Sequence, residues 1–222
     1  LLADGTLRLE RKSPGNPLDL SQLDGDAVSL PAKTGELEVA PGDVLEYRWA
    51  GGGGLGDPLE RVPELVARDV RWGIVSPVQA KAVYGVVLCG RDVDGPATST
   101  TRDAQRRTRL GAADPPVRLS GSEAGETLAW LGPSLRVARH EGTLQLACAC
   151  GQVFGPTDEN WRLAAARRVL NDKSLPIGIT VHEHLQLAEY LCPACGLLHS
   201  TDVEERGAEP LQDIKLTAAW WQ

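Results

Sequence analysis

Apolar residues fall at every second position in Thr6-Leu7-Arg8-Leu9-Glu10, Ala27-Val28-Ser29-Leu30 and Gly35-Glu36-Leu37-Glu38-Val39, with Asp-Gly, Asn-Pro and Pro-Gly pairs between such runs. A period of two broken by turn residues predicts strands and turns, so this stretch reads as β-rich. Pro41-Gly42-Asp43 predicts a turn, and Val44 to Trp49 a further strand running almost directly into Gly51 to Gly54. Beyond the glycines the period changes. Pro63-Glu64-Leu65-Val66-Ala67-Arg68-Asp69-Val70-Arg71 has helical spacing behind a proline suited to the first turn, and Gly73 stops it. Ser76 as N-cap and Pro77 open a second short helix through Val83, and Tyr84 to Leu88 reads as a buried strand. Thr100 to Leu110 reads as an arginine-rich helix closed by Gly111.

Residues 111–125 carry the Gly, Ala, Pro and Ser of a linker. They divide the chain into a first unit, 1–110, and a second, 126–222. In the second, the pattern predicts strands at 127–130, 135–138 and 143–147, a helix at about 160–170, and an alternating stretch over 177–191.

Composition narrows what these units do. Of 222 residues 42% are hydrophobic, but only 5% are aromatic, so the cores must be mainly aliphatic. Six of the aromatics are Trp, and Trp220 and Trp221 stand together at the end, where docking of the tail on its own domain or on a partner is expected. The formal net charge of -7 repels phosphate backbones and anionic membranes. No run reaches the roughly 18 apolar residues of a membrane span. No nucleic-acid or membrane partner is expected. There is no Met, and the chain opens Leu1-Leu2-Ala3-Asp4-Gly5, the pattern of a fragment, a processing product or part of a longer reading frame.

Five cysteines, four of them in tight pairs, suit metal thiolates in a reducing compartment, here the cytoplasm, better than a disulfide framework. The pairs are Cys148-Ala149-Cys150-Gly151 and Cys192-Pro193-Ala194-Cys195-Gly196, each at the end of an expected strand. Four thiolates close a tetrahedral shell with no position left for water or substrate, so Cys148, Cys150, Cys192 and Cys195 are expected to hold one structural Zn2+. The competing reading is four unrelated cysteines, buried or disulfide-linked. The first pair, with one intervening residue, is tighter than usual for a knuckle. Its fallback is replacement of one sulfur by a histidine, with His199 nearest the second pair; His140, His182 and His184 complete the set. His182 and His184 are expected to share a strand face. Cys89 reads as a core residue. The glycines at 51–54 lack the Lys and Ser/Thr of a phosphate loop and read as a sharp turn or a close backbone approach. The fold class expected is α+β: a β-rich N-terminal segment with short helices, linked to a small zinc-ribbon-like β domain with one helix.

Pro41-Gly42-Asp43, Gly51-Gly52-Gly53-Gly54-Leu55-Gly56-Asp57-Pro58-Leu59-Glu60-Arg61, Pro63-Glu64-Leu65-Val66 and Asp69-Val70-Arg71 resemble the C-terminal part of the hydantoinase B/oxoprolinase family. The match continues through Gly73-Ile74-Val75-Ser76, Ala82 to Leu88 and the arginine-rich helix, so it covers residues 1–110. Residues 126–222 resemble the gamma subunit of acetone and acetophenone carboxylases, through Cys148 to Gly155, Glu159-Asn160-Trp161, Tyr190 to Gly196 and Pro210-Leu211-Gln212-Asp213-Ile214. The resemblance implies a small subunit of an ATP-dependent ketone carboxylase that joins ketone and bicarbonate into a β-keto acid. It implies a hetero-oligomer with larger hydantoinase A-like and hydantoinase B-like subunits, which would hold the ATP and a further metal. The large N-terminal body of a hydantoinase B protein is not in this sequence, so no catalytic residue is carried over. Two other readings stand beside this one: a subunit of an ATP-dependent hydantoinase, oxoprolinase or lactamase, and a stand-alone zinc-ribbon interaction module.

Overall fold

The computed structural model describes residues 26, 28, 30, 35–45, 54–118, 124–170 and 181–217. The strand patterns at 6–10 and 46–49, Gly51 to Gly53 and the Trp220-Trp221 pair lie outside them. Within 35–45 the chain turns at Pro41-Gly42, where the Asp43 carboxylate accepts from the Ala40 amide at 2.8 Å. No strand ladder is formed by the described residues before Leu88.

The first unit is built from capped helices. Asp57 caps a 3-10 turn, Pro58–Glu60, by accepting from the Leu59 amide at 2.9 Å. Pro63–Arg71 forms α1 and Pro77–Tyr84 forms α2. Ser76 and Gln79 satisfy each other's backbone amides at the start of α2, a capping box. That helix ends at Gly85, whose φ of +63° is left-handed, and a Cβ there would lie 2.7 Å from Arg102 Cγ. A minimal hairpin, β1 (Leu88–Cys89) with β2 (Asp92–Val93), leads to α3, Gly95–Gly111. Val66, Ala80 and Val86 make a small core. The long helix joins it chiefly by polar contacts: Arg102 donates to the Tyr84 and Arg61 carbonyls at 3.1 and 2.6 Å, and Gln105 to the Lys81 carbonyl at 2.9 Å.

The second unit is two antiparallel sheets. The strands β3 (Glu126–Leu131), β4 (Leu135–His140), β5 (Thr143–Cys148) and β6 (Val153–Pro156) follow in meander order, and β7 (Ala166–Leu170), β8 (Leu185–Leu191) and β9 (Leu198–Glu205) form the second sheet. Val137, Leu146, Phe154, Trp161, Ala188 and Tyr190 belong to one buried cluster shared by both sheets. The fold class is α+β, with the cysteine pairs at the ends of two hairpins.

Several expectations need correction. The helix expected at 160–170 is a single 3-10 turn, Trp161–Ala164, followed by β7. Helix-favouring Leu163 to Arg168 yields to ladder pairing of Ala166 to Leu170 with Leu187 to Leu191. Tyr84 to Leu88 is not a continuous strand, because Tyr84 is the last residue of α2 and Gly85 its left-handed cap. The alternating stretch 177–191 becomes a strand from Leu185, residues 177–180 lying outside the described set. Cys89 is exposed rather than in the core, since its two-residue strand has a solvent face and Cys89 is on it.

Candidate metal centre

Hairpin geometry brings the two cysteine pairs together. Cys148 is the last residue of β5, and the turn Ala149 to Gln152 is closed by the Cys148 amide donating to the Gln152 carbonyl (2.7 Å) and the Gly151 amide to the Cys148 carbonyl (3.0 Å). Cys192 follows β8. Its amide donates to the Leu197 carbonyl, and the Gly196 amide to the Cys192 carbonyl, both at 2.8 Å. Gly196 has a φ of +73°, which lets the chain reverse within the knuckle.

The four sulfurs all lie within 4.8 Å of one another. Across the pairs, Cys148 Sγ is 3.8 Å from Cys195 Sγ, and Cys150 Sγ is 3.6 Å from Cys192 Sγ. Both are far beyond the roughly 2.05 Å of a disulfide. A tetrahedron with metal–sulfur bonds of about 2.3 Å has edges of about 3.8 Å, so the spacing fits a tetrathiolate ion. Cys148 and Cys192 are buried, Cys195 is half-buried and Cys150 is exposed.

Electrostatics point the same way. Hydrogen bonding with Cys192, then Cys195, together with burial, pushes the Cys148 thiol up, whereas donation from Cys148 and Cys192 draws the Cys195 thiol down. Sharing protons among sulfurs this close lets one ionise at its neighbours' expense. A divalent cation would replace those shared protons and allow all four thiolates. The backbone amides of Cys150, Cys195 and Leu197 favour the ionised forms of Cys148, Cys192 and Cys195 respectively.

None of the histidines joins this group. His182 and His184 lie in the turn entering β8, not on a strand face; they are exposed, with ring centroids 5.2 Å apart. His140, at the end of β4, is half-buried. The ring of His199 packs edge-on against Phe154 and Trp161, with centroids at 5.2 and 5.9 Å, and its Nδ1 meets Ser134 Oγ at 3.1 Å. It is a half-buried histidine packed against the core aromatics.

Burial pushes the His199 pKa down to about 4 from an ordinary 6.5. Between those values the unfolded chain binds the extra proton, so His199 lowers folding stability as pH falls through this window. The loss is about 2 kcal/mol by about pH 5 and levels off below about pH 4. Urea unfolding midpoints of the wild type and His199→Phe at about pH 7 and pH 5 test this: the variant is expected to lose that share of the slope.

Sequence reasoning missed two buried residues, one beside the centre and one that straps the second unit. The Asp57 side chain is fully buried, and its carboxylate accepts from the Leu59 amide, from Arg109 Nη1 at 2.8 Å and from the Leu198 amide at 3.0 Å. It therefore ties the Pro58 turn, the last turns of α3 and the strand leaving the second knuckle. Asp-Pro is legible as a cap; the partner 141 residues away is not. Arg162, also buried, straps the C-terminal segment onto the second unit through Asp213, Asp202 and the Leu211 carbonyl. Asn160, Trp161 and Thr157 hold the same segment through the Pro210 carbonyl, Asp213 and the Leu216 carbonyl. Thus Asn160-Trp161 and Pro210 to Asp213, far apart in sequence, are one contact.

Comparison with known proteins supports both resemblances. Residues 130–219 match the family model described as acetone carboxylase gamma subunit. The chain is 44% identical over 69 residues to the beta chain of the caprolactamase of Pseudomonas jessenii, covering 31% of this chain and 12% of that protein. It is 43% identical over 70 residues to the acetone carboxylase alpha subunit of Xanthobacter autotrophicus, covering 29% and 9%. A putative D-/L-hydantoinase B component of a Pseudomonas species is 32% identical over 78 residues, covering 35% and 13%. The chain therefore spans only 9% to 13% of the length of these relatives. No helix among the described residues is long and apolar enough to cross a membrane.

Proposed function

We propose that this chain is a zinc-holding accessory part of an ATP-dependent ketone carboxylase complex, built as a hydantoinase B-like unit (1–110), a linker (111–125) and a gamma-like zinc unit (126–222). The observation that carries this reading is the four-sulfur group of Cys148, Cys150, Cys192 and Cys195, set at tetrahedral spacing inside a gamma-like sheet pair. A closed thiolate shell has no open coordination position, so the zinc contributes folding energy and no bond making. The cysteines hold the ion, the knuckle amides stabilise their charge, and Asp57 ties the helical unit to the strand beside them. Hydantoinase A-like and B-like partner chains, in the reducing cytoplasm, would hold ATP, the further metal and the reacting ketone and bicarbonate.

The likeness to the caprolactamase beta chain supports a second reading, an ATP-dependent cyclic-amide hydrolase. Purification of the chain from its native source separates the two. Co-elution with two larger chains and one zinc per copy of this chain are expected, and a lone stable monomer would sink both readings. ATP hydrolysis by the purified complex that requires both ketone and bicarbonate supports the carboxylase. Bicarbonate-independent, ATP-dependent opening of a cyclic amide supports the second reading instead.

A further inference from the structure

The two units have separate buried apolar clusters. Val66, Ala80 and Val86 form one, and the cluster around Val137, Phe154 and Tyr190 the other, with no residue in common. What joins them is a set of specific polar and backbone contacts. Beyond the Asp57 junction, α3 passes so close to the second knuckle that a Cβ on Gly196 would lie 2.9 Å from the Arg106 carbonyl oxygen and 3.0 Å from Arg106 Cβ. Gly56, with φ of +78°, meets Pro133 in the β3–β4 turn, where a Cβ would lie 2.8 Å from the proline ring. Between α3 and both cysteine turns lies a cavity of about 590 Å³, lined among others by Glu60, Arg106, Arg107, Cys150, Cys195 and Leu197. Charged groups, close backbone approach and a solvent-open cleft are features of a contact between separately folded bodies rather than of one continuous core.

We infer that this junction is a subunit interface carried within one chain: residues 57–118 form a docking element whose partner is a metal-loaded two-knuckle domain, supplied here by residues 124–217. The inference rests on the zinc reading proposed above. Its metal dependence follows from position. Gly196, which receives α3, lies one residue beyond Cys195 on the turn closed by the Cys192–Leu197 and Gly196–Cys192 hydrogen bonds, and Leu198, which donates to Asp57, opens β9 directly after that turn. A metal holding Cys192 and Cys195 fixes that turn and so presents the Leu198 amide. Without it the knuckle loosens, and the buried Asp57 carboxylate loses a donor.

The test uses the full chain, folded and metal-loaded, with a flexible protease site inserted between residues 119 and 123 and cut after purification. The two pieces are expected to co-elute in size exclusion while metal is bound and to separate once a chelator has removed it. Asp57→Ala, cut in the same way with its metal retained, is expected to weaken the association at least about tenfold. Should that variant be insoluble, Arg109→Gln is read in its place. Separation of the wild-type pieces with metal bound, persistence of the pair after chelation, or an undiminished pair in the variant overturns the inference. Metal content measured on the same samples keeps the readings apart: a chain purified without metal overturns the zinc assignment, whereas pieces that part with metal in place overturn only the interface.

Discussion

Cys192→Ala is expected to reduce bound zinc from one per chain to near zero and to unfold residues 126–222. Cys192 is fully buried between the sheets and supplies one of four sulfurs. A structural zinc contributes on the order of 10 kcal/mol, as much as the whole stability of a typical small domain. Its loss therefore exceeds what the remaining apolar cluster around Val137, Phe154 and Tyr190 can offset. Metal analysis and near-UV circular dichroism of the purified variant measure the two losses. Stoichiometric zinc in a soluble variant with an unchanged spectrum would count decisively against the site. Cys89→Ala is the control: an exposed thiol on a two-residue strand is expected to change stability by no more than about 0.5 kcal/mol.

Much of the fold is legible wherever the signal is local. The Ser76 N-cap, Pro63 and Pro77 in first turns, and the alternation in β3 to β5 each act within a few residues, and each element forms where expected. The strand β7 reads as helix because its evidence is remote. Ala166, Arg167 and Arg168 favour a helix in isolation, and the ion pairs of Arg167 with Glu204 and Arg168 with Glu189 arise only once β8 and β9 lie beside them. The start of α3 reads late because its first turns carry Thr and Ser, although Asp94 caps the helix by accepting from the Ala97 amide at 3.0 Å. The candidate metal site divides the same way. Each cysteine pair is readable as a knuckle, while the pairing of Cys148 with Cys195 and Cys150 with Cys192 depends on two hairpins from different sheets. Asp57 and Arg162 carry no local mark of their tertiary roles. An Arg in a Trp-Arg-Leu run does not announce which carboxylates, 40 and 51 residues away, will reach it.

Arg162→Met is expected to cost about 3 kcal/mol and to release residues 210–217 from the second unit. The guanidinium is 2% exposed. It donates from Nε to Asp202 at 2.7 Å, from Nη1 to the Leu211 carbonyl at 2.9 Å, and from both terminal nitrogens to Asp213. Its carbon centre lies 4.8 Å from the Trp161 ring centroid and 5.3 Å from that of Tyr190. Met fills a similar volume, so the cost comes mainly from the lost charge-assisted bonds rather than from a cavity. Asp213 is 42% exposed and can turn to water, which keeps the cost at the lower end of the range for a broken buried pair. The released segment distinguishes this mechanism from general destabilisation. Hydrogen exchange at the Leu216 amide, which donates to the Thr157 carbonyl at 3.0 Å, is expected to accelerate well before exchange in β8. Arg162→Lys should recover little, because an ammonium cannot serve Asp202 and both Asp213 oxygens in one plane. Full retention of Leu216 protection in either variant would show that the segment is held by Asn160, Trp161 and Thr157 alone.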